Sequence, residues 1–292
     1  MKVVHLSLED SFGAGRAAIR ISNAIQKTGI DSSVYVLNKN EMADSHAVGL
    51  KRTDRLKVML YDRFNHMLLN KYPERGYFHV DQHGIDLSKY PEIQGADILH
   101  FHWVNEGIWS EKFIKSLIKL NKPIVWTMHD MWTFTGGCHY DEFCGKYKDG
   151  DFNLTSLIKR ILTEVPKLKS TKAKDEAFHA QQKKSSYLAQ FSIQLVGCSN
   201  WITEQANESL VGKRLNYKAI CIPNPTNAAA FKLYEKEICK QLLEIESDKK
   251  LILFGAVNAA SDKRKGAKYL IEALKKLNPE EYILGIFGSK DV

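Results

Sequence analysis

Two stretches of this chain carry residue types suited to chemistry. Gly13-Ala14-Gly15-Arg16-Ala17-Ala18 follows the apolar run Val3–Leu6 and fits the pattern G-x-G-x-x-A. Glycines there let backbone approach a ligand closely, and the free N–H groups opening the next helix attract an anion such as a phosphate. Further on, the apolar run Pro123–Met128 delivers His129-Asp130, with Trp132 and Thr135-Gly136-Gly137 just beyond. A histidine at a strand end can donate a hydrogen bond to a ligand hydroxyl or act as acid or base; the alternative is an imidazole satisfied by neighbouring backbone. In an open α/β domain both stretches would sit at the carboxyl ends of parallel strands, where ligands bind.

Three other groups bear on chemistry. His100 and His102, in Leu99-His100-Phe101-His102-Trp103, flank another strand end, and strand alternation sends both to one face, which suits a structural role for one of them. Lys263-Arg264-Lys265-Gly266 opens a later helix after the loop Gly255–Asp262. Cations at a helix start oppose its dipole, so they make sense if a diphosphate lies between them and the N–H groups; otherwise this is a solvated basic turn. Cys138-His139 and Cys144 invite a zinc reading, but the spacing is irregular and no second cysteine pair completes a ligand set, so no metal is expected. No Ser-His-Asp order or paired-carboxylate motif stands out.

The elements that must position these residues alternate. Strands are expected at Val3–Leu6, Ser33–Leu37, Asp97–Phe101, Pro123–Met128, Ile193–Cys198 and Ala219–Ile222. Between them run helices, one from near Gly15 with Ala18, Ile21 and Ile25 on a stripe, another with Phe113, Leu117 and Ile118. This order predicts parallel βαβ units, and the lack of period-two polarity fits strands covered on both faces. Two segments interrupt the pattern. Lys51–Tyr72 places Leu56, Met59, Leu60, Phe64, Met67 and Leu68 at helical spacing, and Lys146–Lys184 is basic with a stripe of Leu157, Ile158, Ile161, Leu162 and Val165. They read as helices packed on the domain, or as a surface that touches lipid head groups.

Past Pro223-Asn224-Pro225 the alternation resumes, with a strand at Lys249–Phe254, a helix at Ala267–Leu277 and a strand-like Ile283–Gly288. A βαβ unit cannot bury both faces of its strands alone. The expected organisation is therefore a first domain, 1–225, with insertions at about 51–72 and 146–192, and an incomplete second domain, 226–292.

Composition bounds the partners. At 292 residues, 44% hydrophobic and 26% charged, the chain is ordinary for a soluble globular protein. Met1-Lys2 leads directly into a core-like strand and no run approaches the roughly 18 apolar residues of a membrane span, which points to a cytoplasmic protein without a cleaved signal. Five scattered cysteines form no disulfide framework. The net charge of +8 implies anionic partners, namely nucleotides or phospholipid surfaces; the absence of any nucleic-acid-binding motif argues against nucleic acid. A nicotinamide dehydrogenase is a rival. Against it, Ser7–Phe12 separates the strand from Gly13, and the second strand ends in Leu37-Asn38 without the acidic residue that holds a ribose.

Taken together, these motifs resemble glycosyltransferase family 4, the retaining GT-B class, and within it the polysaccharide-building branch typified by colanic acid transferases. The likeness is carried by Gly13–Ala18, His100-Phe101-His102-Trp103, the run from His129 to Tyr140, Cys198-Ser199-Asn200-Trp201, Ile222-Pro223-Asn224-Pro225, and Phe254–Asn258 to Lys265-Gly266. It implies two Rossmann-like domains facing each other across a cleft. The donor, a nucleotide-diphosphate sugar, would bind mainly to the second and a polysaccharide or lipid-linked saccharide acceptor mainly to the first. On that reading Gly13, Gly15, Arg16, Lys265, Gly266 and Asn258 bind the donor. His129 is catalytic beside the transferred sugar, and His102, Trp103, Asp130, Trp132 and Asn200 line the acceptor side. The resemblance implies neither metal nor other cofactor, and leaving-group stabilisation by fixed positive groups would supply much of the catalysis. The expected location, from the lack of a signal or span and from the two inserted segments, is the cytoplasm, with peripheral contact at the inner face of an anionic membrane as the sharper alternative.

Departures from the family pattern qualify this. Ala256 stands where many members carry an arginine, and only Cys138 and Cys144 remain of the branch's cysteine cluster. The family's donor-binding glutamate pair would lie beyond Val292, so the chain is expected to be truncated and inactive as it stands. The alternative is a non-catalytic binding or assembly protein derived from such a transferase.

Overall fold

The computed structural model describes residues 1–40, 46–69, 78–79, 83–141, 145–148, 171–245, 248–256 and 262–288. The chain divides into two compact units, Met1–Asn227 and Ala228–Val292.

The first unit is α/β and Rossmann-like. Its strands are β1 (Lys2–Glu9), β2 (Asp31–Asn38), β3 (Val48–Gly49), β4 (Ile98–Phe101), β5 (Ile124–Met128), β6 (Ile193–Gly197) and β7 (Ile220–Cys221). They form one seven-stranded sheet in the order β3-β2-β1-β4-β5-β6-β7. Every pair is parallel. The helices are α1 (Gly13–Gln26), α2 (Arg52–Leu69), α3 (Pro91–Gly95), α4 (Glu111–Leu120), α5 (Thr171–Leu188), α6 (Asn200–Glu208) and α7 (Leu210–Arg214).

Local chemistry sets several boundaries. Helix α4 starts where the Ser110 hydroxyl accepts from the Phe113 N–H, with Glu111 in its first turn and Lys119 in its last. It stops at Asn121, left-handed at φ 49°. Its stripe of Phe113, Ile114 and Leu117 is buried, each side chain contributing about 1.5–3 kcal/mol. Beneath it lie Val4, Leu6, Leu99, Phe101, Ile124, Trp126 and Leu195 from one face of the sheet. The opposite face carries a smaller apolar cluster of Ala18, Val34, Val36 and Ala47, and alternation puts Val3, His5 and Ser7 of β1 out of step with Val4 and Leu6.

Two expectations need correction. Strand β1 does not stop at Leu6. Leu8 is buried, its N–H bonds Trp103 O at 2.7 Å, and Glu9 still pairs with Asn38, so only Asp10–Phe12 separate strand from helix. The polar Ser7 and Glu9 disguised a strand whose second face is also covered, and the long-turn objection to a dinucleotide fold falls. Asn38 still ends β2 without an acid.

Helix α2 is present, but its apolar stripe does not pack on the domain. Leu56, Met59, Leu60, Phe64 and Met67 are each more than half exposed, while Val58 and Asn65 are the buried positions. The stripe Leu157–Val165 lies outside the described residues. Helix α5, from the same basic segment, contributes buried Gln181, Lys184, Ser185 and Leu188.

The second unit pairs β8 (Lys250–Gly255) with β9 (Tyr282–Phe287) in parallel, with α8 (Lys236–Leu242) ahead of them and α9 (Ala267–Leu274) between them. Neither helix has a buried residue, and Leu253 and Phe287 are 61% and 63% exposed. Two strands and a crossover helix do not cover both sheet faces. Among the described residues no helix is long and apolar enough to cross a membrane.

Candidate functional site

The chain runs from β1 outward to β2 and β3, then crosses back to place β4 on the other side of β1. The carboxyl ends of β1 and β4 therefore flank the switch point where open α/β sheets hold ligands. Around it gather the loop Asp10–Phe12, the segment after β4 from His102 to Ser110, and the segment after β5 from His129 to His139.

His129, directly after β5, is half-buried, and its Nε2 lies 3.1 Å from His102 Nδ1. Burial lowers its pKa to about 4 against the opposing pull of the Asp130 charge. At neutral pH it is an uncharged imidazole, able to donate from one nitrogen and accept at the other. No residue among those described engages its Nδ1. His102 is 2% exposed and reaches the crevice only through His129.

Asp130 ties the segments after β4 and β5 together. Its Oδ2 accepts from Trp103 Nε1 at 3.1 Å and from His139 Nδ1 at 2.6 Å, and its Oδ1 accepts from the Trp132 N–H at 2.9 Å. A second line leads on from His139, whose Nε2 is 2.8 Å from His79 Nδ1. His79 Nε2 in turn lies 3.5 Å from Glu106 Oε1. Glu106 has a left-handed backbone at φ 57°, followed by Gly107 at φ 101°, where a Cβ would lie 2.6 Å from Val58 Cγ1. Burial, and then repulsion from Asp62 and Glu9, push its carboxyl up to about 7. A carboxyl of raised pKa on left-handed backbone beside the switch point makes Glu106 a candidate functional position. Neither Glu106 nor Glu9 stood out in the sequence. The one available signal was Asn105-Glu106-Gly107 directly after a strand.

The segment after β5 is partly scaffold. Trp132 is 2% exposed, donates its indole N–H to His79 O at 2.8 Å and carries Lys184 Nζ 3.3 Å above its ring. It offers no face to a saccharide. Lys184 also donates to Trp132 O and to Thr135 O. Gly136 is required because a Cβ there would sit 1.8 Å from Ala177 O of α5. Half-buried Trp103 and exposed Asn200, the latter opening α6 behind the Ser199 cap, remain open to a ligand.

At the glycine turn the two glycines differ. A Cβ on Gly15 would meet Glu9 O at 2.0 Å, so this position lets α1 pack on the end of β1. Gly13 has open space, and Gly13 and Arg16 are exposed. Phe12, the residue ahead of the helix, provides no side-chain cap, which leaves the first N–H groups of α1 without one.

In the second unit Gly266 is left-handed at φ 82° where α9 begins. Arg264 is held by Asp262 through two hydrogen bonds of 2.9 and 2.6 Å, while the exposed Lys265 ammonium makes no side-chain hydrogen bond or ion pair among the described residues, though its charge is felt by Asp262. Asn258 and Cys144 lie outside the described residues.

Among the described residues, the group with metal-ligand geometry is His5, His100 and His102, whose contributing atoms lie within 4.8 Å of one another, all buried.

No family model matches the chain. It is 30% identical over 108 residues to the putative colanic acid biosynthesis glycosyl transferase WcaC of Escherichia coli (strain K12), a match covering 35% of this chain and 25% of that protein. The matched region thus spans about a quarter of that relative's length.

Proposed function

We propose that this chain is a glycosyltransferase of the retaining GT-B type, whose first unit holds a saccharide or lipid-linked saccharide acceptor. The donor is a nucleotide-diphosphate sugar, with Lys265 and Gly266 of the second unit assigned to its phosphates; within the first unit Gly13 and Arg16 are offered to an anionic group and Gly15 to the packing that fixes that turn. The observation that carries the reading is a neutral, half-buried His129 held beside the sheet's switch point by His102 at the end of the neighbouring strand. Its Nδ1, unengaged among the described residues, suits a hydrogen bond to a sugar hydroxyl. No metal is assigned to this reaction. The distant likeness to a glycosyl transferase supports the same reading.

The exposed stripe Leu56, Met59, Leu60, Phe64 and Met67 on α2, bordered by exposed Arg52, Arg55 and Arg63, favours peripheral contact with an anionic membrane that carries the acceptor. This reading places the protein in the cytoplasm at the inner membrane face. Co-sedimentation with anionic but not neutral vesicles, lost in Leu60→Asp/Phe64→Asp, is the expected result.

Titration calorimetry with nucleoside diphosphates and with NAD tests the class. The short turn after β1 keeps a dinucleotide in contention, and tight NAD binding without nucleoside diphosphate binding would overturn the transferase reading. In a transfer assay His129→Ala is expected to lower turnover far more than donor binding. Donor binding without transfer by the wild-type chain would instead identify a binding or assembly protein derived from such an enzyme.

A further inference from the structure

Behind His129 runs an unbroken line of hydrogen bonds through the interior of the first unit. His102 Nδ1 lies 3.1 Å from His129 Nε2, and His102 Nε2 lies 3.1 Å from His5 Nδ1. His5 Nε2 is 3.1 Å from Ser32 Oγ, which is 2.8 Å from Ser22 Oγ on α1. His5, Ser32 and Ser22 are at most 2% exposed. The line crosses four parallel strands, β2, β1, β4 and β5, because His5 and His102 share one sheet face.

Each neutral imidazole has one donor nitrogen and one acceptor nitrogen. The connections always join the Nδ1 of one ring to the Nε2 of the next, running from His5 to His129. A proton on His5 Nδ1 therefore requires one on His102 Nδ1, and that in turn requires His129 to carry its proton on Nδ1. The opposite polarity puts all three protons on Nε2. Any mixture sets two N–H groups, or two lone pairs, against each other inside the core, where an unmade hydrogen bond is costly. Burial keeps all three rings uncharged, and His100, stacked 4.4 Å from His102 and bonded to Thr127 Oγ1, adds a further neutral wall. The line ends in the hydroxyls of Ser32 and Ser22, which can each donate or accept, so either polarity is completed there and the three rings must share it.

We propose that Ser32, His5 and His102 are positioning residues that tie the tautomer of His129 to that of the two buried rings, so that its Nδ1 meets a ligand with the hydrogen-bonding sense the whole line holds. The lock itself stands on these contacts alone; its consequence for transfer rests on the role assigned to His129 above.

The test is long-range proton–nitrogen correlation NMR on histidine-labelled protein at pH 7. All three rings are expected in one common tautomer, with a single sharp pattern for His129. In His102→Phe, and more mildly in Ser32→Ala, the His129 signals are expected to average between tautomers. Transfer should fall about 10-fold or more in His102→Phe, with nucleoside diphosphate affinity unchanged. Tryptophan fluorescence confirms folding of each variant; if His102→Phe does not fold, Ser32→Ala and the wild-type spectrum decide. Different tautomers in the wild-type rings, or an unaltered His129 spectrum in the folded variants, would overturn the proposal. So would one equivalent of zinc found by elemental analysis on the purified protein and bound by His5, His100 and His102, since an ion would occupy the nitrogens that bond each other. A common tautomer combined with full transfer activity in His129→Ala would leave the lock standing and remove the catalytic reading.

Discussion

Replacing Asp130 with alanine probes whether the site is held from behind. The carboxylate accepts three hydrogen bonds, from Trp103 Nε1, His139 Nδ1 and the Trp132 N–H, and so joins the segments after β4 and β5. His139 and Trp132 are only 2% exposed, so water cannot readily replace the lost acceptor. Bonds to a charged acceptor contribute about 1.5–3 kcal/mol each, but removing the carboxylate also removes its own desolvation cost, leaving an expected net loss of about 2–4 kcal/mol. Urea unfolding followed by tryptophan fluorescence is the assay. All five tryptophans, Trp103, Trp109, Trp126, Trp132 and Trp201, belong to Met1–Asn227, so the signal reports that unit alone. Trp103→Phe deletes one of the three bonds and should cost about 1 kcal/mol, and the double variant should fall short of additivity by a similar amount. A loss below about 1 kcal/mol for Asp130→Ala, or strict additivity, would refute the reasoning, because truncation of a real buried hub strands its donors.

Other outcomes follow from single residues. Gly13→Ala should leave the melting temperature unchanged or slightly raised, whereas Gly15→Ala should lower it sharply, since its Cβ would lie 2.0 Å from Glu9 O. Equal effects would mean that α1 does not pack as described. The Glu106 carboxyl, raised to about 7, keeps a proton in the folded state that the unfolded chain releases near 4.5, so its contribution is favourable at low pH and is lost as pH rises from 4.5 to 7. Glu106→Gln should therefore gain about 1–3 kcal/mol of stability relative to the parent across that window; parallel pH profiles would contradict the burial argument. Lys265→Ala should weaken nucleoside diphosphate binding by about 1–3 kcal/mol, and unchanged calorimetric affinity would remove Lys265 from the donor site.

How much could be read without coordinates depended on the range of the forces involved. Strand and helix order was legible because burial on two sheet faces writes apolar runs. The placement of His129-Asp130 after a buried strand was legible for the same reason. Polar residues blurred the rest. Ser7 and Glu9 hid the last turn of pleat in β1, and the regular stripe of α2 left open whether it packs on the domain or faces outward, since periodicity marks an amphipathic helix and not the side it shows to a partner.

By itself the amino-acid order determined a parallel α/β sheet, a glycine-led helix beside its first strand, and a histidine and aspartate at the end of a later one. Only the folded chain decided what those groups could do. His5 and His102, 97 residues apart, meet because the crossover sets β1 beside β4. Asp130 turned out to be a tie between loops, Trp132 a buried prop, and Glu106 a carboxylic acid near neutrality. Such roles depend on contacts between side chains brought together by strand order, and strand order comes from how the whole sheet buries its faces, which no local stretch of sequence contains.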